Sequence, residues 1–414
     1  MIHDGLKEKY NVLIAYERKF RLKHYNDGNY QQQYFYLNEQ GASICSSSTF
    51  CRMEKNELLV EENLYAFAAT KLGKKVAYLP RIDQLLQDTI QRIYTCMERL
   101  EETTAANVIQ SVLPKLESCK DVLYYEEYVW QFEMMRDYFS SSKTMDELQF
   151  QRICHTFQIY PSNYQDILMR FAYLYSNIQE MSKKEMILQL YDFKKSKFLC
   201  NQICCVQIEC LQKDHYQALL RCQSLEEPLL KTKNYGQLLT LYIHMFYLLA
   251  YMDKKASIHY IETALGLAVE HDYYKNRLFM LYINVGSTYL LLKEYEKSIE
   301  NLKKCCELTD NMKMRNYLCI CHCYRMLHME LPQEYKTCPA EFGDAIDQSV
   351  YAYFQSVDDR KGEQNKRFIL HKVVKKLQKS DDLYFRILKD ELHLLAIKTN
   401  RFKDYVNFVD EYGL

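Results

Sequence analysis

Glycine and proline, the residues a continuous helix tolerates least, number only 10 and 6 in this chain of 414 residues. Inside a helix Gly costs about 1 kcal/mol and Pro about 3 kcal/mol relative to Ala. Long stretches free of both, rich in Leu, Lys, Glu, Gln and Tyr, therefore point to an all-α chain. A hydrophobic content of 48% excludes global disorder. The length is enough for two or three domains.

Charge is balanced, with 54 basic and 54 acidic side chains, so the whole chain offers no basic field. Any nucleic-acid affinity must be local. Residues 1–75 carry eight Lys and three Arg against nine acidic residues, a small positive excess. Sixteen cysteines without a signal peptide point to a reducing cytoplasm. They sit within apolar helical patterns, as small hydrophobes do. Cys319, His322 and Cys323 would share one helix face, but no second ligand pair lies at zinc spacing, so no metal and no cofactor are expected. The longest uncharged run, Tyr235 to Met252, is too short and too interrupted to span a bilayer, which needs about 20 apolar residues.

The first 75 residues read as one unit. Leu6 to Tyr25 is a helix with Leu13, Ile14, Tyr16, Phe20 and Leu22 among its large apolar side chains, and Asn26-Asp27-Gly28-Asn29 stops it. The pattern predicts a second helix from Tyr30 to Asn38, broken by Gly41-Ala42-Ser43. Ser46 or Ser47 caps a third helix that runs to about Lys55 and buries Phe50 and Met53. A fourth runs from Glu61 to Leu72, with Gly73 as its stop. Residues 76–82 are expected to be a linker, and 83–414 a helical repeat domain.

The clearest repeat is 279–311. Gly286 lets two helices approach, Tyr289 packs between them, and Ser298 is small where the second crosses the first. Ser257 and Ala218 are the upstream equivalents of Ser298. Their offsets exceed the period of about 34 typical of tetratricopeptide repeats. Residues 81–200 are helical without an assignable register. Pro332 and Pro339 mark a break, and from Ala340 further helix pairs cap the array, since an open end would expose apolar surface.

The segment Ser46-Ser47-Ser48-Thr49-Phe50-Cys51-Arg52-Met53-Glu54-Lys55-Asn56-Glu57 resembles the helix-turn-helix domain of the lambda-repressor/Cro (XRE) type. It has that family's serine-rich start, apolar anchor, basic residue, apolar-plus-Glu pair and polar turn. The resemblance implies that the third helix enters the major groove of DNA. Ser47, Ser48, Thr49 and Arg52 would then face bases, and Gln31 and Gln32 would contact phosphate. Arg52 is the strongest of these, because a guanidinium pairs bidentately with guanine. Gly28-Asn29-Tyr30-Gln31 matches the family's start of the second helix only loosely, and that helix is unusually aromatic.

The 279–311 segment resembles a tetratricopeptide repeat. An XRE-type head followed by such an array is similar to the cytosolic peptide-pheromone receptors of Gram-positive bacteria, the Rgg/PlcR/PrgX group. This implies a cytoplasmic homodimer that binds double-stranded DNA and takes a short peptide in its repeat domain. Asn and Gln side chains can satisfy the unpaired backbone of an extended peptide. Inward-facing positions are Ile283, Asn284 and Ser287, with Gln207, Tyr242 and Phe246 upstream and Asn316 on the next helix. The alternative is a scaffold that binds a protein partner and carries a vestigial head. No P-loop, dinucleotide-binding glycine pattern, His-Glu-x-x-His or nucleophile elbow occurs, so an enzyme is not expected.

Overall fold

The computed structural model of the chain describes residues 2–25, 28–38, 40–176, 181–271, 275–308, 314–336, 343–377 and 382–412. Asn26, Asp27, residues 309–311 of the clearest repeat, Pro339 and Ala340 lie outside these residues. Among the described residues every regular element is helical, and β pairing is limited to isolated bridges at Leu37–Ser43 and Lys75–Val122. The protein is all-α. It forms two compact units, Met1–Arg221 and Cys222–Leu414.

The first unit contains α1 (Asp4–Tyr25), α2 (Ser47–Glu54), α3 (Glu62–Lys71), α4 (Pro80–Glu98), α5 (Glu102–Glu117), α6 (Leu123–Ser141) and α7 (Glu147–Thr156). It continues through α8 (Ser162–Ser176), α9 (Met181–Leu190) and α10 (Leu199–Leu211), and the division falls within α11 (His215–Lys231). Local chemistry sets several boundaries. Pro80 opens α4 at a position where its missing N–H costs nothing. Asp146 and Gln149 form a reciprocal capping box at the start of α7. Along α1, Leu6, Tyr10, Leu13 and Ile14 are buried.

The predicted second helix does not form as an α-helix. Residues Gly28–Tyr30 and Gln32–Phe35 make two 3-10 turns, followed by a tight reversal in which the Asn38 amide donates to the Ala42 carbonyl (2.9 Å). Gly41, at φ +76°, takes the left-handed position of that reversal. Aromatic side chains at Tyr30, Tyr34, Phe35 and Tyr36 are poor helix formers. Phe35 is instead inserted against Phe50, with ring centroids 6.2 Å apart.

Residues 76–82 are held on both sides. The Tyr10 hydroxyl bonds the Ala77 carbonyl (3.0 Å) and the Leu79 amide donates to the Tyr125 hydroxyl (2.9 Å). Lys75 pairs with the backbone at Asp121 and Leu123. The first 75 residues thus belong to the same compact unit as the helices that follow.

The second unit contains α12 (Tyr235–Leu249), α13 (Lys254–Glu270), α14 (Lys275–Leu291), α15 (Tyr295–Glu307), α16 (Met314–Met326), α17 (Gln333–Lys336) and α18 (Ala345–Gln355). It ends with α19 (Gly362–Phe368), α20 (Asp382–Thr399) and α21 (Lys403–Tyr412). Two hairpins share one device. Ser257 on α13 donates to the Phe246 carbonyl on α12 (2.7 Å), and Ser298 on α15 donates to the Gly286 carbonyl on α14 (2.8 Å). A side chain at Gly286 would meet Leu302 Cγ at 2.6 Å, so glycine lets the helices cross without displacing that leucine. Ala218, the third small residue of this set, is fully buried in the first unit.

Candidate functional site

The first candidate surface is built on α2. Ser46 has extended backbone and its Oγ accepts from the Thr49 amide (3.0 Å), which starts the helix. Phe50 and Met53 are fully buried and pin one face, leaving Ser47, Ser48 and Arg52 exposed on the other. Thr49 is half-buried and its hydroxyl lies 2.8 Å from Ser46 Oγ, so capping takes part of its hydrogen-bonding capacity. Ser47 and Ser48 occupy the first turn, where the helix dipole favours anions.

A buried ion pair fixes α2 to α1. Arg18 Nε donates to Glu54 Oε1 (2.5 Å) and Nη2 to Oε2 (2.9 Å), while Nη1 reaches the Tyr30 carbonyl (3.2 Å). Gln32 Nε2 adds a bond to Glu54 Oε2 (2.8 Å). Gln32 is therefore spent inside this network, whereas Gln31 is exposed. Sequence reading missed Arg18. Its signal was a charged residue four positions after Ile14 on a buried face, where an Arg persists only with a partner.

The second candidate surface is a groove of about 320 Å³ in the second unit. Four expected positions, Ile283, Asn284, Ser287 and Asn316, line it together with Tyr247, Met280, Leu291, Arg315 and Leu383. Asn284 Nδ2 donates to the Met280 carbonyl of its own helix (2.7 Å), leaving its Oδ1 as the group offered to a ligand. Asn316 is buried and its amide faces Cys305 Sγ at 3.6 Å. Arg315 is exposed and stacks on the Tyr384 ring at 5.1 Å.

The other three expected positions lie elsewhere. Tyr242 and Phe246 are buried in the packing of α12, at 4% and 0% exposure, because helix crossing takes the face assigned to the ligand. Burial also raises the Tyr242 phenol, as does Glu226 nearby. Gln207 is half-buried on α10, in the first unit. Leu383 and Arg315 were not foreseen, since nothing local joins α20 to α14 in sequence.

His322, set aside above as a zinc ligand, serves another purpose. It is fully buried, with Nδ1 3.1 Å from Glu391 Oε1 and Nε2 3.7 Å from Asp390 Oδ2. Arg325 Nε (2.6 Å) and the Tyr353 hydroxyl (2.7 Å) donate to the other oxygen of Glu391. Burial works to lower the His322 pKa, but the two carboxylates outweigh it and raise it. Among the described residues no group of three or more His, Cys, Asp or Glu side chains could hold a metal ion.

No family model, no curated protein and no solved structure matches this chain. Among the described residues no helix is long and apolar enough to cross a membrane.

Proposed function

We propose that the chain is a DNA-binding transcriptional regulator whose second unit senses a ligand, a short peptide. The observation that carries this reading is the geometry of α2: a serine-capped two-turn helix, apolar on its buried face, with Arg52, Ser47 and Ser48 exposed on the other. Bidentate anchoring of Arg18 to Glu54 holds that helix firmly, as a base-reading element requires. In the groove, exposed Tyr247 and Met280 offer apolar contact, Asn284 an acceptor and Arg315 a cation. These fit part of a peptide that carries an apolar side chain and a carboxylate. A groove of this volume lies at the small end of ligand sites, roughly 300–1,000 Å³, and would be a subsite within a longer contact.

The regulator would act as a cytoplasmic homodimer. Peptide binding shifts the arrangement of the two heads only by its differential affinity for two states. Selection from a random duplex library by the full-length protein tests the reading. A selected motif with a steep salt dependence is expected, and replacing Arg52 by Ala should weaken binding to it by about 1–3 kcal/mol. Equal affinity for all duplexes, unaltered in that variant, would sink it.

One observation favours a second reading, a helical scaffold that binds a protein partner and carries a vestigial head. The segment before α2 consists of 3-10 turns where a helix-turn-helix domain has its second helix. Retention of the folded protein on no duplex at low salt would support that reading.

A further inference from the structure

A cavity of about 450 Å³ lies in the first unit, bounded by the C-terminal half of α1, the residues ending α2, and α7. Its chemistry is unlike that of the other two surfaces. Tyr16, Phe20 and His24 follow one another at helical spacing along α1 as a ladder of rings. Tyr16 and Phe20 lie 5.9 Å apart at 24°, and Phe20 and His24 lie 4.1 Å apart at 27°. His155 of α7 meets Tyr16 from across the cavity at 5.5 Å.

Lys19 and Lys23 flank the ladder, and Lys55 closes the cavity from the end of α2. None of these three lysines forms an ion pair among the described residues. The carboxylate that lines the cavity, Glu54, is already held by Arg18 and Gln32. Both histidines are pinned in the same way: His24 Nδ1 bonds the Phe20 carbonyl (2.9 Å) and His155 Nδ1 bonds the Gln151 carbonyl (2.7 Å). A carbonyl only accepts, so each Nδ1 carries the proton and each Nε2 remains for a ligand. The side-chain amides of Gln151 and Gln158 complete the lining.

We propose that this cavity binds a purine nucleoside diphosphate, with the base on the outer face of His24, whose inner face is backed by Phe20, and the phosphates on Lys19, Lys23 and Lys55. The size falls in the range of small-molecule sites, roughly 300–1,000 Å³. A diphosphate carries about three negative charges at neutral pH, matched by three lysines. A stacking face has value only for a base that is not already stacked, which favours a mononucleotide over duplex DNA. The site stands whatever the serine face of α2 contacts. Because Lys55 and Asn56 directly follow α2, occupancy would also stiffen that end of the helix.

Calorimetric titration of the full-length protein with ADP and GDP tests the proposal, beside adenosine, inorganic pyrophosphate and a short DNA duplex. At least one diphosphate should bind, with adenosine and pyrophosphate each at least tenfold weaker. The Lys19→Gln/Lys23→Gln variant alters only exposed side chains, so it should fold normally by circular dichroism and lose at least tenfold in affinity. Phe20→Leu should lose severalfold. Absence of heat with both diphosphates at millimolar concentration would overturn the assignment. So would affinity unchanged in the double variant, pyrophosphate binding as tightly as ADP, or a duplex that displaces ADP and binds more tightly through the same lysines.

Discussion

Arg18 and Glu54 are buried at 6% and 9% exposure. A buried pair gains little over a well-packed apolar one, but removing one partner strands the other charge, at about 3–5 kcal/mol. Arg18→Ala should therefore lower the stability of the first unit by that amount in a urea titration, with an unchanged Arg52 face. Lys293 makes a different case. It holds φ +61° in the turn between α14 and α15, a conformation that disfavours side chains with a Cβ branch. Lys293→Gly should be neutral or stabilise by up to about 1 kcal/mol, and Lys293→Val should destabilise by a similar or larger amount. Equal effects of both changes would show that the turn relaxes. Lys213 and Lys233 take the same conformation, followed by Asp214 and Asn234 where Lys293 is followed by Glu294. No glycine marks these turns, so their geometry was not readable from the sequence.

At the scale of elements, the hairpins of the second unit were legible because their determinants are local. A small residue at the crossing, Ser257 or Ser298, binds a carbonyl only 11 or 12 positions earlier. Gly286→Ala should cost about 1–3 kcal/mol from overpacking against Leu302, readable as a lower denaturation midpoint with unchanged slope. The segment before α2 was misread, because four aromatic residues supplied an apolar pattern without the propensity to support a helix. Contacts between distant segments were not legible at all. Arg18 meets Glu54, and Leu383 of α20 joins Asn284 and Asn316 at one groove. The ion network joining α16, α18 and α20 gives a pH dependence. The His322 pKa is raised, so its stabilisation is complete below its ordinary value of about 6.5 and is lost as pH rises through the folded value. Asp390 and Glu391 are lowered by His322, with Arg325 also acting on Glu391, against the opposing effect of burial. Their contribution is present above about pH 4 and lost as pH falls further. Unfolding of the second unit should thus be hardest in mildly acidic solution. In His322→Gln, the decline on the alkaline side of about pH 6.5 should largely disappear. A decline of the same size in that variant would assign it to other groups.

For the whole molecule, the balanced total charge offers no broad electrostatic field, so the proposed recognition of nucleic acid would be local and carried by one short helix. That the chain is all-α was legible from the scarcity of Gly and Pro. The boundary of the first unit was not, because the residues at 76–82 that read as a linker are bonded into α1 and α6 through Tyr10 and Tyr125. In the proposed regulator these bonds would tie the helices before residue 76 to those that follow in the same unit. The central claim is that Arg52 and the hydroxyls of α2 read DNA. Mapping the protein's chromosomal sites in its native host, beside the Arg52→Ala variant, tests it most directly. Sharp sites that share a motif with two half-sites and vanish in the variant are the expected result. A folded, expressed protein that marks no site above background, or one whose sites persist unchanged in the variant, would contradict it.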